Sequence, residues 1–191
     1  MTELSEAKTL GGVGAILVLL GVVPNFGFIL SIVGWILILV SVDKISKTVN
    51  DRTIFNNVLM AVILAVVGSI IAGVILGVGV FFAFTGTGAV FPGDPTRLLT
   101  DVLGFFVVGL IAFWLIMIFS ARYLRRGYDS INAQLRVSMF STAGKLYFYG
   151  ALLTIILVGF ILILIAEILQ VIAFFSMPES LPSTKPTSGN N

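Results

Sequence analysis

Long apolar runs alternate with short polar segments along this chain. A helix that crosses a membrane needs about 20 mainly apolar residues. The chain meets this requirement several times, and most of its charged residues lie between the runs. We therefore expect residues 1–177 to form an all-α, polytopic transmembrane helical bundle of about five spans. The predicted spans are 7–23, 26–43, 58–84, 96–121 and 149–175.

The first apolar stretch, residues 10–42, is too long for one straight span. At about 1.5 Å per residue it would reach roughly 50 Å, whereas the bilayer core is about 30 Å thick. Pro24, which has no amide hydrogen, and Asn25, a common turn residue, interrupt it. The pattern predicts an N-terminal helical hairpin that turns at these residues. A re-entrant hairpin that does not cross fully is the alternative, because both arms are short.

A strong helix start signal precedes the fourth predicted span. Asp94 suits an N-cap, and Pro95 suits the first helical position. The helix is expected to end at residue 121, before three arginines. Residues 178–191 contain Pro, Ser, Thr, Gly and Asn and few apolar residues. This composition predicts a disordered C-terminal tail.

The connector at 122–147 carries apolar residues at helical spacing. This periodicity predicts an amphipathic helix that lies on the inner leaflet. Basic residues next to the apolar stripe favour anionic lipids there, namely Arg122, Arg125, Arg126 and Arg136. Tyrosines near this boundary are typical of interfacial anchors, and they are Tyr123, Tyr128, Tyr147 and Tyr149. The apolar stripe consists of Leu124, Tyr128, Ile131, Leu135 and Met139.

Five spans would divide the basic residues unequally between the two sides. Arg97 and Lys185 would lie on one side. Nine would lie on the other: Lys8, Lys44, Lys47, Arg52, Arg122, Arg125, Arg126, Arg136 and Lys145. Loops rich in Lys and Arg are typical of the cytoplasmic side. The bias predicts a multi-pass protein of the cell membrane with its N-terminus in the cytoplasm and its C-terminus outside.

Composition restricts the chemistry of the chain. Charged residues make up only 10% of it, against about 25% in soluble domains. It has no Cys and no His, which excludes disulfides, the usual zinc sites and Ser-His or Cys-His nucleophile pairs. The formal charge of +2 is too small to indicate nucleic acid as a partner. We expect no enzyme activity, no cofactor and no metal site.

Glu167 is the sharpest candidate for a functional residue. It is the only charged residue in the last predicted span, and Gln170 follows one turn later on the same face. Carboxylates within a membrane often mark proton or cation pathways. In the alternative interpretation, the helix is shifted inward along its axis and Glu167 reaches the outer headgroups. The sequence leaves both open.

Small residues recur at intervals of four in the third predicted span. Ser69, Gly73 and Gly77 form a small-xxx-small ladder. In lipid such ladders let two helix backbones approach closely. The ladder is a candidate helix-packing face. Packing within the chain is the ordinary interpretation, and contact with a second copy or with another membrane protein is the alternative.

Several segments resemble a small, uncharacterised and largely archaeal family of integral membrane proteins. The resembling segments are residues 7–17, residues 34–46 running into Asp51 and Phe55, and residues 140–144 followed by the final span through 173–175. The resemblance implies a helical membrane domain of unknown function over most of the chain. It implies no catalytic residue, substrate or cofactor.

Two classes of function remain open. A structural or accessory membrane subunit fits a chain with no soluble domain and little polarity within its spans. The alternative is a small transporter, channel or lipid-handling protein that uses Glu167, with Gln170 and Asn25 as further polar points. The surroundings of Glu167 discriminate between the classes, because headgroups favour the first and a polar interior favours the second.

Overall fold

The computed structural model describes residues 3–85 and 95–181, and these residues are almost entirely helical. Their six helices are α1 (Glu3–Leu19), α2 (Gly27–Thr48), α3 (Arg52–Thr85), α4 (Pro95–Leu135), α5 (Ser138–Leu153) and α6 (Val158–Phe175). Short 3-10 turns, Leu20–Val22 and Thr154–Ile156, extend α1 and α5. Each helix contains a segment long and apolar enough to cross a membrane. The predicted all-α bundle is confirmed.

The N-terminal hairpin has its turn where the sequence predicts it. Residues 23–26 separate the Leu20–Val22 turn from α2, and Asn25 adopts a positive φ of 69°, which Asn tolerates better than most residues. The two helices approach closely at Gly14 and Gly34. A Cβ atom at Gly34 would lie 2.6 Å from the Gly14 carbonyl oxygen, so no larger residue fits.

Helices α3 and α4 form a second, longer antiparallel pair. The Ser120 hydroxyl donates to the Ala61 carbonyl oxygen at 2.8 Å, and Gly68 packs against Ile116. Among the described residues helix α4 runs from Pro95, and the predicted N-cap, Asp94, lies outside them. The 41 residues of α4 continue well beyond residue 121. At about 1.5 Å per residue it is roughly 60 Å long, about twice the thickness of a bilayer core.

The predicted interfacial helix at 122–147 is therefore wrong. Residues 122–135 are the last part of α4, and α5 begins at Ser138 after Arg136 with a positive φ of 58°. Four stripe residues are buried in the protein core: Leu124, Tyr128, Ile131 and Leu135. Met139 is 38% exposed. The helical periodicity is correct, but the apolar face packs on neighbouring helices instead of facing lipid.

The predicted last span, 149–175, is also divided in two. Leu157 has a left-handed φ of 63° between α5 and α6. The two helices fold back on each other where Gly159 contacts the Gly150 carbonyl oxygen so closely that no Cβ could be added. The turn lies inside an apolar run without Pro, Asn or Asp, so no polar signal marks it. This turn raises the number of candidate spans from about five to six.

The third hairpin brings the end of α6 beside the start of α1. Phe174 contacts Gly11, and Leu4 and Met177 belong to the same buried core. The start of α1 and the end of α6 therefore lie at the same end of the bundle. We call it the charged end. The expected placement of the termini on opposite sides of a membrane stays a prediction. The tail beyond residue 181 lies outside the described residues.

Candidate functional site

Gln170 lies on the buried face of α6, between Ala166 and Ala173. It has no exposed surface, and neither its amide nitrogen nor its amide oxygen has a hydrogen-bond partner among the described residues. An unsatisfied buried polar group costs about 1–3 kcal/mol of stability. Such a group in the core of a bundle is a candidate for hydrogen bonding to a bound water, ion or ligand.

Two tyrosine hydroxyl groups in the same core share this property. Tyr128 on α4 and Tyr147 on α5 are buried, and neither hydroxyl has a hydrogen-bond partner in the described part of the chain. Phe140 separates Tyr128 from Phe174, with edge-to-face ring contacts at centroid distances of 5.4 Å and 5.0 Å. The sequence interpretation of these two tyrosines as interfacial anchors is wrong, because both rings lie inside the bundle.

Glu167 lies at the edge of this group. Its side chain is half-buried, and it lies one turn before the buried Gln170 on α6. The pairing of Gly150 with Ile163 sets the register of α5 against α6 and brings Tyr147 level with Glu167. Glu167 is close to the middle of α6, about 13 Å from either helix end at about 1.5 Å per residue.

We call Tyr128, Tyr147, Glu167 and Gln170 the buried polar cluster. Sequence periodicity identified Glu167 and Gln170 as neighbours on one face, and the structure adds the two tyrosines from α4 and α5. The cluster offers two phenol oxygens, one amide and one carboxylate, and it includes no Lys or Arg. These groups suit a proton, water or a small cation better than an anion. No group of three or more Asp and Glu that could hold a metal ion occurs in residues 3–85 and 95–181.

The small-residue ladder has no packing partner among the described residues. Ser69, Gly73 and Gly77 are exposed, and a Cβ atom at either glycine would meet nothing within 4 Å. The neighbouring face of α3 makes the contact with α4 instead, through Gly68 and Ile75. Packing within the chain is therefore the wrong interpretation of the ladder. Contact with another chain stays a prediction.

Two comparisons relate this chain to known proteins. The family described as "Protein of unknown function (DUF996)" matches residues 30–168. An uncharacterised protein of Methanocaldococcus jannaschii is 38% identical over 181 residues, which cover 95% of this chain and 97% of the relative. No solved structure matches the chain significantly. The predicted resemblance to an uncharacterised, largely archaeal family is confirmed.

Proposed function

Because the chain belongs to this DUF996 family, whose function is unknown, we propose a function from the buried polar cluster. We propose that the protein is an integral membrane protein that acts as a small transporter or channel for a proton or small cation. The cation is bound at Glu167 and Gln170, inside the bundle. This proposal favours the second of the two classes considered from the sequence.

The outer surface supports the membrane location. Large apolar side chains are exposed on every helix, as illustrated by Phe28 at 74%, Val108 at 68% and Ile161 at 61%. Soluble monomers rarely expose continuous apolar surface on this scale. Six helices of sufficient length and apolar character carry these side chains. The hydrocarbon core of a bilayer is the environment that removes such a surface from water.

The fully unpaired amide of Gln170 is the observation that carries the proposal. A carboxylate within a bilayer core is costly, and neighbouring polar groups reduce that cost by hydrogen bonding to it or to its ligand. Tyr128 and Tyr147 each offer a hydroxyl that has no other described partner. In the proposed mechanism, Glu167 supplies the negative charge that attracts the cation. Gln170 and the two hydroxyls replace part of its hydration shell.

The charge distribution supports one orientation. Nine of the eleven basic residues belong to the helix halves at the charged end or to the turns that join them. The positive-inside bias favours this end for the cytoplasm. The described ends of the chain, residues 3 and 181, would then both lie on the cytoplasmic side. This replaces the expectation of an external C-terminus.

Replacing the carboxylate of Glu167 tests the proposal. The chain is reconstituted in liposomes, and proton, Na⁺ and K⁺ fluxes are recorded with ion-sensitive dyes. We expect Glu167→Gln to lower the flux of the transported ion about tenfold or more, because the amide cannot supply charge. Glu3→Gln is the matched control, since Glu3 is an exposed carboxylate on α1 far from the cluster. Equal flux through Glu167→Gln and wild-type protein would contradict the proposal.

A structural or accessory membrane subunit is the second candidate. The exposed ladder of Ser69, Gly73 and Gly77 favours it, because such faces bring helices of different chains together in lipid. Gentle extraction from the native host, followed by mass determination, tests this candidate. A defined complex with other proteins would support it, and a single chain free of partners would count against it.

A further inference from the structure

The basic residues at the charged end fall into two groups that differ in their partners. At the corner of α1, α2 and α3, three cations form ion pairs with acidic side chains of the same corner. The Lys44 ammonium is 2.8 Å from a Glu6 carboxylate oxygen, and Arg52 is 2.7 Å from Asp43. Lys47 also pairs with Asp43, at 2.5 Å. These three cations already have carboxylate partners within the chain.

Helices α4 and α5 carry the second group, along the line where the two helices pack against each other; we call the surface along this line the groove. Arg125 lies on the floor of the groove, where its Cα atom is 3.0 Å from the position of a Cβ atom at Gly144. Its guanidinium lies over the Phe148 ring at 5.6 Å and approaches Asp129 at 3.6 Å. Asp129 in turn accepts a hydrogen bond from the Ser141 hydroxyl at 2.6 Å.

Three more cations flank this floor without an acidic partner. Arg122, Arg126 and Lys145 are exposed, and none of them makes an ion pair or a hydrogen bond within the described part of the chain. Arg126 and Arg122 lie one and two turns before Asp129 on α4, and Lys145 lies one turn after Ser141 on α5. Because α4 and α5 are antiparallel, the two arginines on α4 and the lysine on α5 lie on the same side of the Asp129–Ser141 hydrogen bond along the bundle. We call Arg122, Arg125, Arg126 and Lys145 the basic groove.

An exposed apolar surface continues the groove away from the charged end. The next turns of α4 expose Phe119 at 54% and Leu115 at 44%. On α5, Tyr149 and Leu153 are exposed in the same direction. The unpaired cations therefore form the border between an apolar surface and the charged end. A molecule with an anionic head and apolar chains has the matching arrangement.

We infer that the basic groove binds the phosphate of an anionic membrane lipid, whose acyl chains lie along the apolar surface beside it. The inference rests on the proposed membrane location but not on the buried polar cluster. The phosphate oxygens accept hydrogen bonds from Arg122, Arg126 and Lys145, which supply the missing counter-charge. The cation–π contact with Phe148 and the ion pair with Asp129 hold Arg125 on the floor of the groove. Arg136, outside this groove, is not required.

Lipid binding to the full chain provides the test. The protein in detergent is titrated with phosphatidylglycerol or phosphatidylcholine, and bound lipids are counted by native mass spectrometry. The Arg122→Gln/Lys145→Gln double variant removes two unpaired cations. The matched control, Lys47→Gln/Arg52→Gln, removes two cations that are already paired. We expect wild-type and control proteins to prefer phosphatidylglycerol, and the groove variant to bind it about 25-fold more weakly, at about fivefold for each cation.

Three outcomes would overturn the inference. They are an equal loss in the control, no preference of the wild type for phosphatidylglycerol, and displacement of the lipid by millimolar inorganic phosphate. The last outcome would indicate a site for free phosphate. If the double variant does not fold, the exposed Arg126→Gln alone provides the same test. The count of bound lipids does not depend on ion flux. It therefore tests lipid binding even if the proposed ion transport through Glu167 is wrong.

Discussion

Buried polar side chains in this protein are satisfied at some positions and not at others. Ser41 is fully buried, and its hydroxyl donates to the Ala7 carbonyl oxygen at 2.6 Å. Ser46, also buried, donates to the Asp51 carbonyl oxygen at 2.8 Å. Gln170, Tyr128 and Tyr147 have no such partner in the described residues. Among the described residues, the buried hydroxyls between α1, α2 and α3 are therefore satisfied, and the buried side-chain atoms without a partner all belong to the buried polar cluster.

Replacing Gln170 by leucine separates a binding role from a structural one. Because the unpaired amide costs about 1–3 kcal/mol, we expect Gln170→Leu to leave the unfolding temperature of the purified protein unchanged or higher. Ion flux should fall in the same variant. Thermal unfolding in detergent, followed by the flux assay, measures both.

Ser41→Ala serves as the reference for loss of a satisfied buried hydrogen bond. That variant should lose about 1 kcal/mol of stability, and its unfolding temperature should fall. A similar fall in Gln170→Leu would mean that the amide is bonded within the folded chain. The cluster would then be a structural feature.

Pairs of helices in this bundle differ in how they use glycine. In α1 and α2, Gly14 and Gly34 are in backbone contact, and any side chain would push the helices apart. On α3, Gly73 lies on an exposed face with nothing within 4 Å of an added Cβ atom. The same residue type therefore closes one intramolecular interface and leaves another surface flat. A flat helix surface is what a second chain needs for close approach in lipid.

Leucine substitutions distinguish the two surfaces. Gly73→Leu should change the free energy of unfolding of the single chain by no more than about 1 kcal/mol, since Leu has the higher helix propensity. It should abolish any larger complex that gentle extraction recovers. Size-exclusion chromatography with mass determination reports the second effect. A complex that survives Gly73→Leu would remove the ladder as its contact surface.

The matched control is Gly34→Leu. Its side chain would meet the Gly14 carbonyl oxygen and Val18, so we expect the α1–α2 hairpin to open and the unfolding temperature to fall. The backbone atoms at this contact cannot rotate away. Wild-type stability in Gly34→Leu would contradict the close packing of this hairpin.

The bundle of three hairpins has a directly testable topology. The chain contains no cysteine, so engineered single cysteines report without background. We expect an impermeant thiol reagent to label Asn25→Cys in intact cells, because the first turn lies at the end opposite the charged end. Ser180→Cys should be labelled only after the cells are permeabilised, because α6 ends at the charged end.

Gln134→Cys provides the cytoplasmic reference for this experiment. Residue 134 is exposed on the last turns of α4 at the charged end, so it should behave like residue 180. Labelling of Ser180→Cys in intact cells would restore an odd number of spans and the external C-terminus. Absence of labelling at Asn25→Cys would favour a re-entrant first hairpin.

Local sequence signals were sufficient for several features. The long apolar runs determined the helical class, because only a helix pairs the backbone of an isolated apolar segment. Pro24 and Asn25 located the first turn, and Pro95 located the start of α4, since proline restricts the backbone directly. Helical periodicity placed Glu167 and Gln170 on one face. Each of these features depends on neighbouring residues alone.

Tertiary structure decided which surface each apolar face meets. The stripe on α4 packs into the core and the α3 ladder does not, although both show helical periodicity. A bilayer and a protein core are both apolar, so hydrophobic periodicity cannot distinguish them. The turn at Leu157 has no Pro, Asn or Asp to mark it and depends on the close contact of Gly150 with Gly159. The buried polar cluster joins residues of α4, α5 and α6, and only the folding of these helices together buries Tyr128 and Tyr147 in the same bundle as Gln170.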